Sequence, residues 1–497
     1  VTSNPQPAPA HDAPQAQSGS PERVKVSMLG TGSIVFLVVA AAAPLTVMAG
    51  VAPLAISIGG VGAPVAYLIA GAVLATFATA FTTMTKHVGS AGAFYSYVSK
   101  GLGRTWGLAA ALLALLSYNG LQIGVYGLLA VQVRQSLAEL FGITVPWPVV
   151  AVAAVALVLL VGWFGIEVNA KVLGVLLVAE TAILALMAFG VLFKGGAGGL
   201  DGVSFTPSAA FAPGMAAAIG IGFAAYMGFE STALYRREAR RPERTIPRAT
   251  YLAVGFMAIF YAFVTWAAIQ AYGSADAVGV ATTNAPGMFF GIIERYVGGW
   301  AGTAMNLLIV TSVLAAQIAF YNAITRYMFV LSAEGVLPAW VGVLHPRHGS
   351  PNRAGIVQSV LALVVILAFV VAKADPYQGL LLWVNSPGVV GILVLETLTA
   401  VAVVVYFLRR NRAAMTRRAV IAGTVSAILL AAATYLVVDH IALFTQSGPM
   451  VNAVLLSLVP LSLVAGAVIA LRLRVRRPDV YARIGEGDAG DVGKDAL

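Results

Sequence analysis

The acidic residues are where chemistry is most easily placed in this sequence. Of its 20 Asp and Glu, only Glu180, Glu230 and Glu396 fall deep within long apolar stretches. A charged carboxylate in such surroundings is expensive, so it faces a cavity, pairs with a cation or carries a proton, and each of the three is a candidate for proton or cation handling. The competing reading is a neutral glutamic acid hydrogen-bonded to a neighbouring carbonyl. Glu396 also stands near enough to one end of its stretch to reach water along its own stem. No Lys or Arg shares these stretches as an obvious partner. Other chemistries are disfavoured by residue type. Cysteine is absent, which removes disulfides, thiol nucleophiles and thiolate-bound metals. The five His are scattered, without the spacing of a helical metal site, and His87, His345, His348 and His440 form no clustered catalytic set. A membrane-embedded enzyme is therefore the weaker class. With no Walker lysine motif and no repeated pore loop, an ATP-driven pump and a channel are weaker still. No metal or cofactor is implied.

These carboxylates must be held by helices in lipid. Hydrophobic side chains make up 59% and charged ones 10% of the 497 residues, against roughly 25% charge in soluble domains. Between Lys25 and Lys86, 60 consecutive residues carry no formal charge. The fold class is an all-α polytopic membrane protein. Charge-poor windows long enough to span fall near 29–57, 62–84, 105–132, 147–165, 170–193, 211–234, 249–272, 299–325, 354–372, 377–407, 419–438 and 450–471. Twelve transmembrane helices are predicted, with both termini on one side. Of the 30 Lys and Arg, 26 then lie on the side of the termini, and Arg134, Lys194, Arg295 and Lys373 on the other. That bias makes both termini cytoplasmic and the protein a multi-pass resident of the plasma (inner) membrane. The net charge of +10 is thus topology and not a nucleic-acid footprint. Residues 1–26, rich in Pro, Ala, Ser and Gln and without the apolar core of a signal peptide, read as a disordered cytoplasmic tail, and 474–497 as a second tail.

Two of the spans look interrupted. In the first, Ala40-Ala-Ala-Ala-Pro44 puts a proline in mid-span, removing a backbone donor and disfavouring helix at the residue before it. In the sixth, Gly220, Gly222 and Gly228 crowd a stretch that ends in Glu230. The two spans occupy equivalent positions if the first ten divide into halves of five, 27–193 and 209–408, with 416–473 adding two more. Because five is odd, the halves enter the membrane from opposite sides. Interrupted helices at matching positions of inverted halves point to the substrate site of a secondary transporter. Taken singly, each would read equally well as a proline kink or as glycine packing.

Four ordered blocks carry a family resemblance. The most specific is Gly222-Phe-Ala-Ala-Tyr-Met-Gly-Phe-Glu230, followed by Glu238-Ala-Arg-Arg-Pro-Glu-Arg-Thr-Ile-Pro-Arg-Ala249. The others are Gly89-Ser-Ala-Gly-Ala-Phe-Tyr-Ser-Tyr97 with Gly101-Leu-Gly103, Gly165-Ile-Glu-Val-Asn-Ala-Lys171, and Arg326-Tyr-Met-Phe-Val-Leu-Ser-Ala-Glu-Gly-Val-Leu-Pro338 with Pro351-Asn-Arg-Ala354. Over about 27–408 the chain resembles the amino acid-polyamine-organocation permeases. Two departures stand out. Where many members carry Gly-Ser-Gly-Ile-Phe on helix one, this chain has Ala42-Ala-Pro-Leu-Thr46, a less permissive backbone. Nine residues beyond Lys171, where some members carry a lysine, it has Glu180.

The resemblance implies a LeuT-type 5+5 inverted repeat with two further C-terminal helices, and import of an amino acid by alternating access. It places the substrate between the backbone of Ala42, Ala43, Pro44 and Leu45 and the second break, with Ala225, Gly228 and the aromatic cover of Phe223, Tyr226 and Phe229. Free amides would take the carboxylate and free carbonyls the ammonium. Gln317 and Tyr321 on helix eight, Tyr118 and Gln122 on helix three and Asn385 on helix ten complete the candidate pocket. An isolated Asn or Gln in a span is more often interhelical glue. Glu180 and Glu230 are the candidate coupling groups, for a proton in preference to sodium. A permease or exchanger for an amine such as ethanolamine or a polyamine is the alternative, as is sodium-coupled amino acid symport. Lipid is the surrounding partner, and the oligomeric state stays open.

Overall fold

The computed structural model of the chain describes residues 29–85, 87–88, 93–164, 170–237, 239–410 and 416–486. The expected tail at 1–26, Glu238, and parts of the blocks beginning at Gly89 and Gly165 lie outside the described residues.

Apolar stretches in lipid must satisfy their own backbone groups, and here they do so as helices. In chain order these are α1 (Thr31–Ala42), α2 (Pro44–Gly50), α3 (Ala52–Gly59), α4 (Ala63–Met84), α5 (Ala93–Leu102), α6 (Arg104–Phe141) and α7 (Trp147–Trp163). There follow α8 (Ala170–Lys194), α9 (Pro207–Ala210), α10 (Met215–Ala225), α11 (Pro242–Tyr272), α12 (Ala277–Thr283), α13 (Met288–Tyr296) and α14 (Gly299–Ala333). The chain continues through α15 (Asn352–Val371), α16 (Leu382–Val405), α17 (Arg417–Asp439), α18 (Ile441–Thr445), α19 (Pro449–Arg476) and α20 (Pro478–Arg483). Among the described residues the β structure is one isolated bridge, between Leu29 and Ala239.

Ten helical segments among the described residues are long and apolar enough to cross a membrane. The two remaining windows from the sequence are the short α7, of 17 residues, and the sixth, which is split into the 11 residues of α10 and a 3-10 stretch, Phe229–Arg237. Faces of α15, α17 and α19 expose Val371, Tyr435, Met450 and Val475; apolar side chains displayed in this way are matched to lipid tails.

At the centre runs α6, which packs on α14, α16 and α19. Its glycines let a neighbour approach at backbone distance. A Cβ at Gly120, Gly124 or Gly127 would collide with Val384, Asn385 or Pro376. The first and sixth spans lie beside this seam, α1 against α8, α11 and α14, and α10 against α3, α4 and α17.

The sequence places the start of the C-terminal tail at 474. Helix α19 instead continues to Arg476, and α20 then turns across the arginine-rich end of the bundle. There Ser99 Oγ donates to the Ile484 carbonyl at 3.1 Å, the Gly485 amide donates to Glu334 Oε1 at 3.0 Å, and Arg104 pairs with Glu486 at 3.0 Å. Val480 and Ile484 are buried there. A single polar stretch read by composition hides such apolar anchors.

Candidate functional site

The first break forms where proline stops the helix. Pro44 has no N–H and opens α2, and Ala43 before it takes the left-handed conformation, φ 47°, which costs an L-residue about 1–2 kcal/mol. In an unbroken helix the Leu45 and Thr46 amides would close onto the Ala41 and Ala42 carbonyls. Here both amides are drawn elsewhere. The Leu45 amide faces the Glu180 carboxylate, and Thr46 N–H donates to Ser312 Oγ at 3.2 Å. Ser312 Oγ in turn donates to Glu180 Oε2 at 2.8 Å and lies 2.8 Å from Thr46 Oγ1. Glu180, on α8 and 3% exposed, therefore holds the first turn of α2 and leaves the Ala41 and Ala42 carbonyls without their helical donors.

The second break follows Ala225. Gly228 sits at φ 107°, a conformation open to glycine and closed to most L-residues. Glu230 clamps it: Oε2 accepts from the Gly228 amide at 2.9 Å and Oε1 from the Tyr118 hydroxyl at 2.7 Å. Glu396 does not reach water as its position in the sequence allows. It is 3% exposed, and its Oε2 has no hydrogen-bond partner among the described residues.

A cavity of about 90 Å³ lies between the two breaks. Helix one gives it Ala41–Ala43, Thr46, Val47, Val51 and Leu54; α6 gives Leu121, Val125 and Leu128. The sixth span contributes Ile221, Ala224, Ala225 and Met227, and α14 contributes Ala316 and Phe320. Tyr377, Leu381, Leu382, Asn385 and Val389 come from α16 and the turn before it, and Phe444 from α18. Among the described residues no charged side chain lines it. The polar groups are Thr46, Asn385, Tyr377 and the freed backbone of the first break, and Asn385 Oδ1 has no partner within the protein.

Of the expected substrate-binding residues, Ala42, Ala43, Ala225 and Asn385 line this cavity, and the others do not. Pro44 and Leu45 are absent from its lining, and the Leu45 amide expected to meet a substrate carboxylate faces Glu180 instead. Phe223, Tyr226 and Phe229 lie on the far face of their span. Tyr226 donates to the Tyr67 carbonyl at 2.7 Å, and Phe229 meets the Phe77 ring edge-on at 6.1 Å. The face of α10 turned to the cavity carries Ile221, Ala224 and Ala225, one turn apart as helical periodicity requires. On α14 the cavity face is Ala316 and Phe320. Gln317, one residue round, faces α6, where Gln317 Nε2 donates to the Gln122 carbonyl at 3.1 Å and Gln122 Nε2 to that of Gln317 at 3.2 Å. The Gln358 side chain bonds that of Gln122. Tyr321 wedges between Gly162 and Gly355, where any Cβ would collide with it. Sequence reasoning missed Phe320, Thr46, Ser312, Tyr377 and Phe444. An i, i+4 reading of Ala316 and Phe320 could have found the α14 face; nothing short of the fold brings in Phe444.

Comparison with known proteins agrees with this architecture. Residues 33–481 match the family described as amino acid permease. The arginine/ornithine antiporter ArcD2 of Lactococcus lactis subsp. cremoris is 26% identical over 149 residues, 30% of this chain and 29% of that protein. The low-affinity putrescine importer PlaP of Escherichia coli K12 is 26% identical over 314 residues, 61% of this chain and 66% of its own length. The branched-chain amino acid permease BcaP of Lactococcus lactis subsp. cremoris is 24% identical over 346 residues, 62% and 69% respectively. The chain spans less than two thirds of the length of the first two relatives. A match over almost the whole sequence, on a polytopic helical membrane protein, makes this chain a member of the amino acid permease family, within the amino acid-polyamine-organocation superfamily.

Proposed function

We propose that this permease imports a neutral amino acid together with a proton, by alternating access around the two broken helices. Its twelve spans would divide into inverted halves, 27–193 and 209–408, followed by 416–473, with both termini and the arginine-rich end cytoplasmic. The observation that carries the reading is the diversion of the Thr46 amide to Ser312, itself bonded to Glu180. It frees the Ala41 and Ala42 carbonyls at the negative end of α1 for a substrate ammonium, with Asn385 also on the cavity wall. The remainder of the substrate lies among apolar side chains.

Glu180 touches the break and not the cavity, so it can act on the substrate only through the break. As a carboxylate it accepts from Leu45 and Ser312; once protonated it accepts less strongly, and the turn at Ala43 is free to rearrange. Proton uptake and reshaping of the ammonium site are then one event. Sodium is the poorer coupling ion, because the side-chain oxygens grouped with Glu180, Ser312 Oγ and Thr46 Oγ1, are fewer than the cage a hard cation takes. Glu230 serves as a clamp on the second break. Putrescine, arginine and ornithine, for which PlaP and ArcD2 are named, fit the cavity poorly, since a second cationic group would meet no carboxylate there.

Uptake of radiolabelled amino acids into proteoliposomes, with pH and sodium gradients imposed separately, tests this. Accumulation of a neutral amino acid under a pH gradient alone is expected. Accumulation that appears only with sodium, or of putrescine and arginine alone, would replace the reading.

A further inference from the structure

Phe444 does not belong to either half of the expected repeat. It sits on α18, the five-residue helix at the tip of the hairpin between α17 and α19, yet it is 5% exposed and lines the cavity. Loop tips ordinarily stay at the surface and carry polar residues. This one is turned inward and pinned on both flanks. Trp383 Nε1, at the start of α16, donates to the Thr445 carbonyl at 3.2 Å. Thr445 Oγ1 donates to Asn452 Oδ1 at 2.6 Å, and Asn452 Nδ2 donates to the Ser447 carbonyl at 3.0 Å, tying the tip to α19. Gln446 takes the left-handed conformation, φ 52°, where the chain reverses after the phenylalanine. Ile441, one turn before Phe444, is buried with it, whereas Ala442 and Leu443 between them are exposed. Below the tip, α17 packs on the broken helix α10, Val437 filling the space over Gly220.

We infer that the hairpin tip carrying Phe444 is a wall of the substrate cavity and sets the size of the apolar group the permease accepts. The deduction rests on the cavity being the amino acid site proposed above. The rest of the cavity surface that could limit size comes from helices committed to the breaks and to the α6 seam. A phenyl ring on a separate hairpin, held by three side chains that touch no substrate, can change size with no consequence for the breaks. The ligand is a zwitterion with an uncharged aliphatic or aromatic side chain. Discrimination follows from packing alone, where each methylene that fits or clashes changes the specificity ratio by about 10–200-fold.

The test uses the purified full-length protein in proteoliposomes, with L-alanine, L-valine, L-leucine and L-phenylalanine as probes. Phe444→Ala should raise the kcat/KM ratio of phenylalanine to alanine by about tenfold or more, and Phe444→Trp should lower it. Phe444→Leu, which keeps the tip apolar, should shift the ratio the same way as alanine and guards against loss of folding in the smaller variant. Because the chain has no native cysteine, Phe444→Cys can be alkylated selectively, and the best-carried probe should slow that reaction. Unchanged ratios in all three variants at wild-type levels of folded protein, or alkylation indifferent to substrate, would make Phe444 merely structural and overturn the inference while the transport reading stands. If the wild type carries none of the four probes, both fall together.

Discussion

Replacing Glu180 with glutamine separates what this carboxyl group holds from what it carries. The glutamine amide keeps an oxygen that can accept from Leu45 N–H and Ser312 Oγ, so the first break should survive, but no proton can be taken up. Among the described residues Glu180 is the one carboxylate tied to the first break, so the coupling proposed above is one proton per zwitterion and one net charge per cycle. A gradient of one pH unit supplies about 1.4 kcal/mol, and 100 mV supplies about 2.3 kcal/mol for a single charge. Together they drive an accumulation of about 500-fold, and the potential alone about 50-fold.

The assay is uptake of radiolabelled substrate into sodium-free proteoliposomes, with pH gradient and potential set independently. Wild-type protein should approach those ratios, limited by leak. Glu180→Gln should exchange internal for external substrate at a comparable rate and accumulate it to a ratio of about one under either force. Glu180→Ala is the informative contrast, since it leaves the buried Leu45 amide and Ser312 hydroxyl without their acceptor, at about 1–3 kcal/mol. That variant should lose folded protein as well as accumulation. Accumulation by Glu180→Gln equal to wild type would refute the proton role, and loss of exchange as well would mean the carboxyl charge is needed to hold the break.

Gly228→Ala should lower the melting temperature, with a conformational cost of about 1–3 kcal/mol; no atom lies nearer than 3.7 Å to the added Cβ, so a wild-type melting temperature would mean the φ of 107° is not required. Asn385→Ala should raise KM about fivefold to tenfold, the loss of one hydrogen bond, and leave the melting temperature unchanged because its Oδ1 serves no partner in the protein; an unaltered KM would remove Asn385 from the site. Engineered cysteines at Ser274 and Ser447 should react with an impermeant maleimide applied to intact cells, and cysteines at Ser20 and Ala413 should not; the opposite pattern would invert the topology. Asp201, in the connection after α8, is slightly desolvated, but hydrogen bonds from Ser274, Gln270 and the Val203 amide outweigh this and hold its carboxyl below the usual range. A lowered folded-state value stabilises above the ordinary aspartate range and is lost as pH falls through it, so hydrogen exchange at Val203 should accelerate in acid, and Asp201→Asn should remove that acid dependence.

What the sequence made legible and what it withheld follow from the range of the forces involved. Proline at 44 and glycine at 228 act through their own backbone dihedrals, so both breaks could be placed to within a residue or two from local rules. Glu180 was legible for a similar reason: a carboxylate inside an uncharged stretch is costly wherever the chain takes it. Side-chain direction was not, because it depends on how a helix is rotated against its neighbours. A rotation of about 100°, one residue of helix, separates Gln317, bonded to Gln122, from Ala316 on the cavity. The same step separates Tyr226 from Ala225. Apolar periodicity cannot fix that rotation in a helix surrounded by lipid and by equally apolar helices, since burial changes little as the helix turns. Polar side chains draw attention in such spans, and here many of them prove to be the interhelical ties: Tyr118 to Glu230, Gln122 to Gln317, Tyr226 to the Tyr67 carbonyl. With those polar side chains bonded elsewhere, the cavity is left mostly to alanines, larger aliphatic side chains, Phe320 and Phe444, with Thr46, Tyr377, Asn385 and the backbone of the first break as its polar groups. If the cavity is the substrate site proposed above, substrate choice rests on apolar surfaces that look like filler in the sequence, and specificity should change most through substitutions at Ala316, Phe320 and Phe444.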